Sequence, residues 1–317
     1  MKNKGTERGK KVKSDKKSRN AILLLCVLAV LLVCYFALVN YNKKKEEKVK
    51  AKEEQETIYL TDMDSLQEIR YDAGNGEMHF AKKDEAWLFY DDPDFPLSQS
   101  AVNTLAKNLG HLKALRELKD GDTMADYGLE EPSYWIELTD ENGTVTKISI
   151  GNAIDSAYYA RIDDGKTVYT VSSTLVDDLQ TSLEEMAELD ILPSIGSGNL
   201  VKETIVIPGQ TETVYSKDED ADTEAMAVIA GGLGALTLDQ PENYSVSAEE
   251  LSQYGLDENT RTKVTVVYTE EDKEQTLVLW IGKETEDNNV YVMPEDSKIV
   301  YRVSKEVCDN ILNQNQK

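Results

Sequence analysis

Thiols and imidazoles are scarce in this chain: 317 residues carry three cysteines and two histidines. Cys26 and Cys34 fall inside one apolar run and Cys308 stands alone far downstream, so the long region after the run cannot hold an internal disulfide. That region must rely on buried apolar surface, and its roughly 260 residues suffice for one large or two ordinary domains. Cys308 falls on the apolar face of an expected last helix and reads as a small core residue.

The shortage of histidine narrows the chemistry. A Ser-His-Asp arrangement would have to use His79 or His111, and neither a Gly-x-Ser-x-Gly elbow nor a His-Glu-x-x-His run accompanies them. His79 sits between Met78 and Phe80 in an expected strand, on the face opposite theirs, and His111 lies on an expected helix; both read as exposed or structural. Asp218, Asp220 and Asp222 open like a calcium loop, but Thr223 stands where such a loop needs glycine and Ile229 where it needs glutamate. Carboxylates are abundant, yet no spacing picks out a protonated acid beside an ionised partner, as glycoside hydrolysis requires. Gly128 and Gly255 have no glycine-rich surroundings and read as helix-ending residues, not phosphate binders. No catalytic, cofactor-binding or metal-binding residue is therefore assigned, and the expectation is a noncatalytic protein without a cofactor.

Basic residues are also in deficit, 35 against 59 acidic ones, for a net charge of −24. The imbalance is uneven: residues up to Glu56 hold fifteen basic and seven acidic side chains, net +8, which leaves −32 for the remainder. Such a surface repels phosphates and anionic headgroups, which argues against nucleic acid and against a second, peripheral membrane contact.

No charged residue interrupts the apolar run that opens at Ala21 and closes at Val39. Its nineteen residues span ~28 Å as a helix, the hydrocarbon thickness of a bilayer, so a single-pass anchor in the plasma membrane is expected, with lipid as its partner. The preceding tail carries nine basic and two acidic residues, while residues 40–56 carry six lysines, so the N-terminus is expected in the cytoplasm and the C-terminal region outside. A cleaved signal would have a shorter apolar core and a small-x-small site, which Ala37-Leu38-Val39 matches poorly; neither Leu25 before Cys26 nor Val33 before Cys34 suits lipoprotein processing. Residues 40–56 are almost wholly Lys, Glu and Gln and form a charged spacer.

The remainder contains an internal repeat. Asp126-Tyr127-Gly128-Leu129 recurs as Gln253-Tyr254-Gly255-Leu256, and the same elements follow each in order. Ile150-Gly151, Tyr158-Tyr159, Val168-Tyr169 and Val171-Ser172 correspond to Ile281-Gly282, Val290-Tyr291, Val300-Tyr301 and Val303-Ser304. Sixteen tyrosines stand against four phenylalanines, and many fall at repeat positions, which favours a structural role for them.

Alternation marks strands through Met78 and Phe80, Trp87 and Phe89, Tyr134 to Leu138 and Thr146 to Ile150. Gly74-Asn75-Gly76, Glu141-Asn142-Gly143 and Asp163-Asp164-Gly165 are turn signals. One helix, capped by Ser98 or Ser100, aligns Val102, Leu105, Ala106, Leu109 and Leu112; a second, starting near Ser173, aligns Val176, Leu179, Leu183 and Met186. The second copy repeats this less fully, with helices around Ala225 to Leu236 and from about Ser304.

The expected fold is thus α+β: two tandem related units, each an antiparallel sheet with helices packed on one face, after a single N-terminal transmembrane helix. The divisions are a basic cytoplasmic tail (1–20), the span (21–39), the charged linker (40–56), a first repeat unit (57–195) and a second (196–317), parted near 193–199.

Phe80-Ala81-Lys82, Trp87, Phe95-Pro96-Leu97, Leu112-Lys113-Ala114-Leu115-Arg116, Tyr127-Gly128-Leu129 with Pro132, Ile150-Gly151, Tyr159 and Val168-Tyr169 occur in this order. Together they resemble a bacterial family, domain of unknown function 4340. The second unit lacks the Trp and Phe-Pro-Leu step. The resemblance implies a membrane-anchored, extracytoplasmic protein whose relatives are often encoded beside ABC-type export permeases; it brings no catalytic residues. The expectation is a noncatalytic accessory or interaction component of a cell-envelope complex such as an ABC-type export system. The alternatives are an extracytoplasmic ligand-binding or sensing module and, third, a carboxylate-dependent envelope hydrolase.

Overall fold

Short runs of alternating apolar and polar residues, punctuated by turns with positive φ at Gly74, Gly143 and Asp163, lay the chain down as two large antiparallel sheets and one two-stranded sheet. The computed structural model describes residues 57–314 except 120 and 219–221, together with Tyr35, Val39, Tyr41 and Lys43, which are helical. Apart from Tyr35 and Val39, the apolar run and its basic tail lie outside the described residues. Among the described residues no helix is long and apolar enough to cross a membrane.

In chain order the first part comprises β1 (Ile58–Tyr59), β2 (Leu66–Asp72), β3 (Glu77–Lys83), β4 (Ala86–Phe89), helix α1 (Gln99–Gly110), β5 (Lys113–Ala114), β6 (Arg116–Leu118), β7 (Tyr134–Asp140), β8 (Val145–Ile154), β9 (Ala157–Ile162), β10 (Val168–Ser172) and α2 (Ser173–Leu179). The second comprises β11 (Leu200–Val206), β12 (Thr213–Ser216), α3 (Thr223–Ala235), β13 (Pro241–Asn243), β14 (Thr262–Glu270), β15 (Lys273–Glu284), β16 (Asn289–Pro294), β17 (Val300–Ser304) and α4 (Lys305–Ile311). The first sheet runs β4-β3-β2-β7-β8-β9-β10-β6 and the second β12-β11-β14-β15-β16-β17-β13. Aligned on the repeat, seven strands correspond in the same spatial order; β4 of the first large sheet and the two-stranded β1-β5 pair have no counterpart. The Trp and Phe-Pro-Leu step absent from the second copy is β4 and the segment after it.

Each copy also carries its bulges at equivalent places. Register shifts occur between Leu66 and Glu68 on β2 and between Leu200 and Lys202 on β11, then between Ile150 and Ala153 on β8 and between Ile281 and Glu284 on β15. An extra residue breaks the period-two pattern, which is why β2 and β11 do not read as strands from alternation.

The recurring Tyr-Gly-Leu element is a clasp. Gly128 and Gly255 lie at φ +69° and +68°, and in both copies the leucine amide reaches back five residues while the glycine amide reaches back three: Leu129 to Met124 and Gly128 to Ala125, Leu256 to Leu251 and Gly255 to Ser252. This double bond closes a helical turn in a Schellman geometry, so the glycines are the turn-ending residues expected of them. The preceding tyrosine carbonyl then lies against the second repeated glycine. A Cβ on Gly151 would stand 2.2 Å from the Tyr127 oxygen, and one on Gly282 2.2 Å from that of Tyr254. Leu129 and Leu256 are fully buried beneath the clasps, and repeat tyrosines pair beside them, Tyr127 with Tyr159 at 4.6 Å and Tyr254 with Tyr291 at 5.1 Å.

The main cores lie elsewhere. In the first unit Trp87, Phe80, Ile69, Tyr71, Ile136 and Ile148 gather with Val102 and Leu109 of α1 and with Val176 and Leu179 of α2. In the second, Val264, Val266, Leu279 and Tyr301 gather with Ile229 and Leu233 of α3 and with Cys308 and Ile311 of α4. Cys308 is 1% exposed, and burial pushes its thiol up to about 12.

Two helical readings need correction. Ser98 occupies the N-cap of α1, but its hydroxyl bonds Ser100 Oγ at 3.1 Å and caps nothing; α1 ends at Gly110, so Leu112 joins the core from the segment beyond it. The helix from Ser173 stops at Leu179, and Met186 reaches the core from a separate 3-10 turn, Glu184–Met186.

Candidate functional site

One face of α1 from Ala101 to its C-terminal end, and α2, form two walls of a groove over the first sheet. Its outer end is a cavity of about 460 Å³ lined by Lys107, Asn108, His111, Leu112, Lys113, Ser172, Thr174, Leu175 and Asp178. Its inner end is a cavity of about 270 Å³ lined by Tyr71, Ala101, Thr104, Leu105, Asn108, Asp178, Thr181, Glu185 and Met186. Asn108 and Asp178 line both, so the two cavities adjoin.

The backbone fixes these walls firmly. Thr61, 4% exposed, donates its hydroxyl to the Leu109 carbonyl at 2.6 Å and accepts from the Leu112 amide at 2.8 Å. Met63 N–H bonds the Gly110 carbonyl at 2.8 Å, an approach that leaves no room for a side chain at Gly110, where a Cβ would stand 2.7 Å from the Met63 oxygen. On the other wall, Ser172 caps α2 by accepting from the Thr174 amide at 3.3 Å.

The lining is chemically divided. Lys107 and Lys113 make the outer wall cationic; beside them His111 faces Asp62 at 3.2 Å, and Lys113 lies over the Tyr59 ring at 5.5 Å. Asp178 and Glu185 make the inner part anionic. Tyr71 forms part of the floor at 1% exposure; its hydroxyl has no hydrogen bond to a described residue, and burial pushes the phenol up to about 12. The side chains of Lys107, Asn108, Asp178 and Thr181 likewise make no hydrogen bond or ion pair among the described residues. Unused polar groups over a floor of Leu105, Leu112, Leu175 and Met186 can hold an elongated polar ligand. Of the polar lining residues, only His111 stands out in the sequence as a candidate for chemistry. The spacing Thr104, Lys107, Asn108, His111 reads as an ordinary solvated helix face, although His111, expected on the helix, caps it just past Gly110; the opposing wall lies some seventy residues away.

The residues weighed earlier for chemistry have other settings. His79 stacks on Tyr90 at 4.2 Å beside Glu68 at 3.7 Å and is largely covered, whereas His111 lines the groove. Asp218 accepts from Ser216 at 2.7 Å and Asp222 caps α3 through the Ala225 amide at 3.0 Å, so both flank the acidic stretch in structural roles; Asp220 lies outside the described residues. No metal-binding cluster of histidine, cysteine and carboxylates occurs among the described residues.

The repeat units are joined directly. Phe95, of the Phe-Pro-Leu step, packs on Tyr244 at 5.3 Å between ring centroids, Asp92 accepts from Ser245, and Lys298 pairs with Asp94 at 2.5 Å. Asp190, in the connecting segment, accepts from the Tyr301 hydroxyl at 2.7 Å and from Ser297 at 2.5 Å.

Fold and groove together define a tandem-repeat protein of antiparallel sheets with helices, mostly β in content. The sequence matches the family "Domain of unknown function (DUF4340)" over residues 87–220 and again over 212–317, and the chain belongs to that family. Both matches begin late in their copies, within β4 in the first and just before β12 in the second. None of the curated proteins matches the chain. Among solved structures, a thioesterase-like protein from Clostridium sporogenes ATCC 15579 aligns at 12% identity over 39% of this chain and 99% of its own, with a TM-score of 0.26, too low to bear on fold or activity.

Proposed function

We propose that the protein is a noncatalytic, membrane-anchored interaction component of a cell-envelope complex, with an ABC-type export system as the partner that the family resemblance implies. The apolar run closing at Val39 serves as the single transmembrane anchor and the two repeat units stand outside. The observation that carries this reading is the direct joining of the two units through Phe95, Tyr244, Asp92 and Asp190. Two equivalent folds joined within one strongly acidic region offer surface suited to docking. The settings of His79 and His111, one stacked on tyrosine and one against aspartate, support a structural over a catalytic use of both.

Mild crosslinking in native membranes, purification through a C-terminal tag and mass spectrometry test the proposal, with an anchor-only chain as control. Recovery of a permease and its ATPase with the full chain alone is the expected result. Recovery of neither, from an extract in which that complex is intact, would remove the accessory role.

The groove of the first unit favours a second reading, an extracytoplasmic ligand-binding module. Its site would lie within one repeat unit, between α1 and α2, and not between the two units.

A further inference from the structure

The groove has features that a merely solvated crevice would not need. Its floor residue Tyr71 is almost wholly buried, yet its hydroxyl, which has no hydrogen-bond partner among the described residues, is not one of the sealed-off unpaired atoms and opens onto the groove, where a ligand or water can satisfy it. Its charges are sorted by position: Lys107 and Lys113 at the outer end, Glu185 at the inner end, and Asp178 where the two cavities meet. A purely anionic ligand would be drawn to the lysines and repelled by Asp178 and Glu185; a purely cationic one would meet the reverse. A ligand with opposite charges at its two ends satisfies both, and the apolar patches between suit a short body with small side chains.

We propose that the groove binds a short zwitterionic peptide, with its ammonium group inward against Asp178 and Glu185 and its carboxylate outward against Lys107 and Lys113. The Tyr71 hydroxyl donates to a main-chain carbonyl near the inner end, and the Asn108 amide pairs with a peptide group midway. Recognition rests on the two termini and the main chain, so it requires no particular side chain. The combined space, of the order of the about 300–1,000 Å³ usual for small-ligand sites, admits a few residues. This inference concerns the second reading above and is independent of any membrane partner.

The test is titration calorimetry of the full chain in detergent micelles with trialanine, N-acetyl-trialanine and trialanine amide. Trialanine is expected to bind saturably, and blocking either terminus to weaken binding by about tenfold or more, as loss of a charge-assisted contact does. Asp178→Asn should erase the preference for a free amine yet keep that for a free carboxylate. Lys107→Gln with Lys113→Gln should do the converse, and Tyr71→Phe should weaken all three peptides alike. Asp178 and the lysines line an open groove, and circular dichroism verifies that each variant is folded. Absence of saturable trialanine binding, equal binding of the three peptides, or preferences unchanged in the charge variants would overturn the proposal.

Discussion

Glu203 should lower the stability of the second unit, and by an amount set by pH. It lies on β11, flanked in register by Tyr215 and Val266, with no solvent exposure and neither carboxylate oxygen hydrogen-bonded to a described residue. Burial raises its proton affinity from the ordinary 4.5 to about 8. Because the folded value exceeds the unfolded one, folding takes up a proton; the stability is fully present below 4.5 and is lost as pH rises toward 8. At about 1.4 kcal/mol per pH unit, the cost is under about 1 kcal/mol at pH 5, roughly 3 kcal/mol at pH 7 and roughly 5 kcal/mol above pH 8. Glu203→Met removes the titrating group and keeps an unbranched chain of similar length. Urea unfolding of the full chain in micelles, followed by circular dichroism at pH 5, 7 and 9, should show the variant stabilised by increments that grow in that order. Equal increments at pH 5 and pH 9, or a variant less stable than the parent at pH 9, would refute the reasoning.

Three other perturbations probe the scaffold. Gly151→Ala puts a methyl group into the Tyr127 carbonyl and should cost about 3 kcal/mol or more, read as a drop in Tm; Gly282→Ala should behave alike in the second copy, since the clash distance is the same. Phe95→Ala removes one ring of the pair joining the units, at a cost of about 3 kcal/mol, and should split a single calorimetric transition into two. With Cys26 and Cys34 replaced by alanine, the remaining Cys308 should resist thiol reagents at pH 8 in the native protein and react fully in denaturant, because its buried thiolate is disfavoured.

Much of the scaffold is legible in the linear sequence because it depends on local rules. The glycine-bearing turns need positive φ, the strands through Met78, Trp87, Tyr134 and Ile148 alternate cleanly, and α1 carries its apolar face at helical spacing. The repeat is legible for a related reason. Tyr-Gly-Leu and Ile-Gly form the two halves of a clasp whose close backbone contact admits no Cβ, so the residue types recur wherever the clasp is built. β2 and β11 escape such reading because a bulge shifts the alternation within each strand, and the helix expected from Ser173 through Met186 breaks where tertiary packing, not helical continuity, delivers Met186 to the core.

The candidate groove was not legible, since it depends on which distant segments meet. Tyr71 on β2, Lys107 to Lys113 at the end of α1 and Asp178 on α2 each look like ordinary strand or surface residues in isolation. The same holds for Glu203, one acid among 59 until β11 is placed inside the second sheet and turns it toward the core. By itself the sequence determined the duplicated framework, because turn geometry and periodic burial act over a few residues. Only the tertiary structure decided where polar groups are left unpaired or gathered at one groove, because solvation and charge proximity depend on neighbours that the chain supplies from far away.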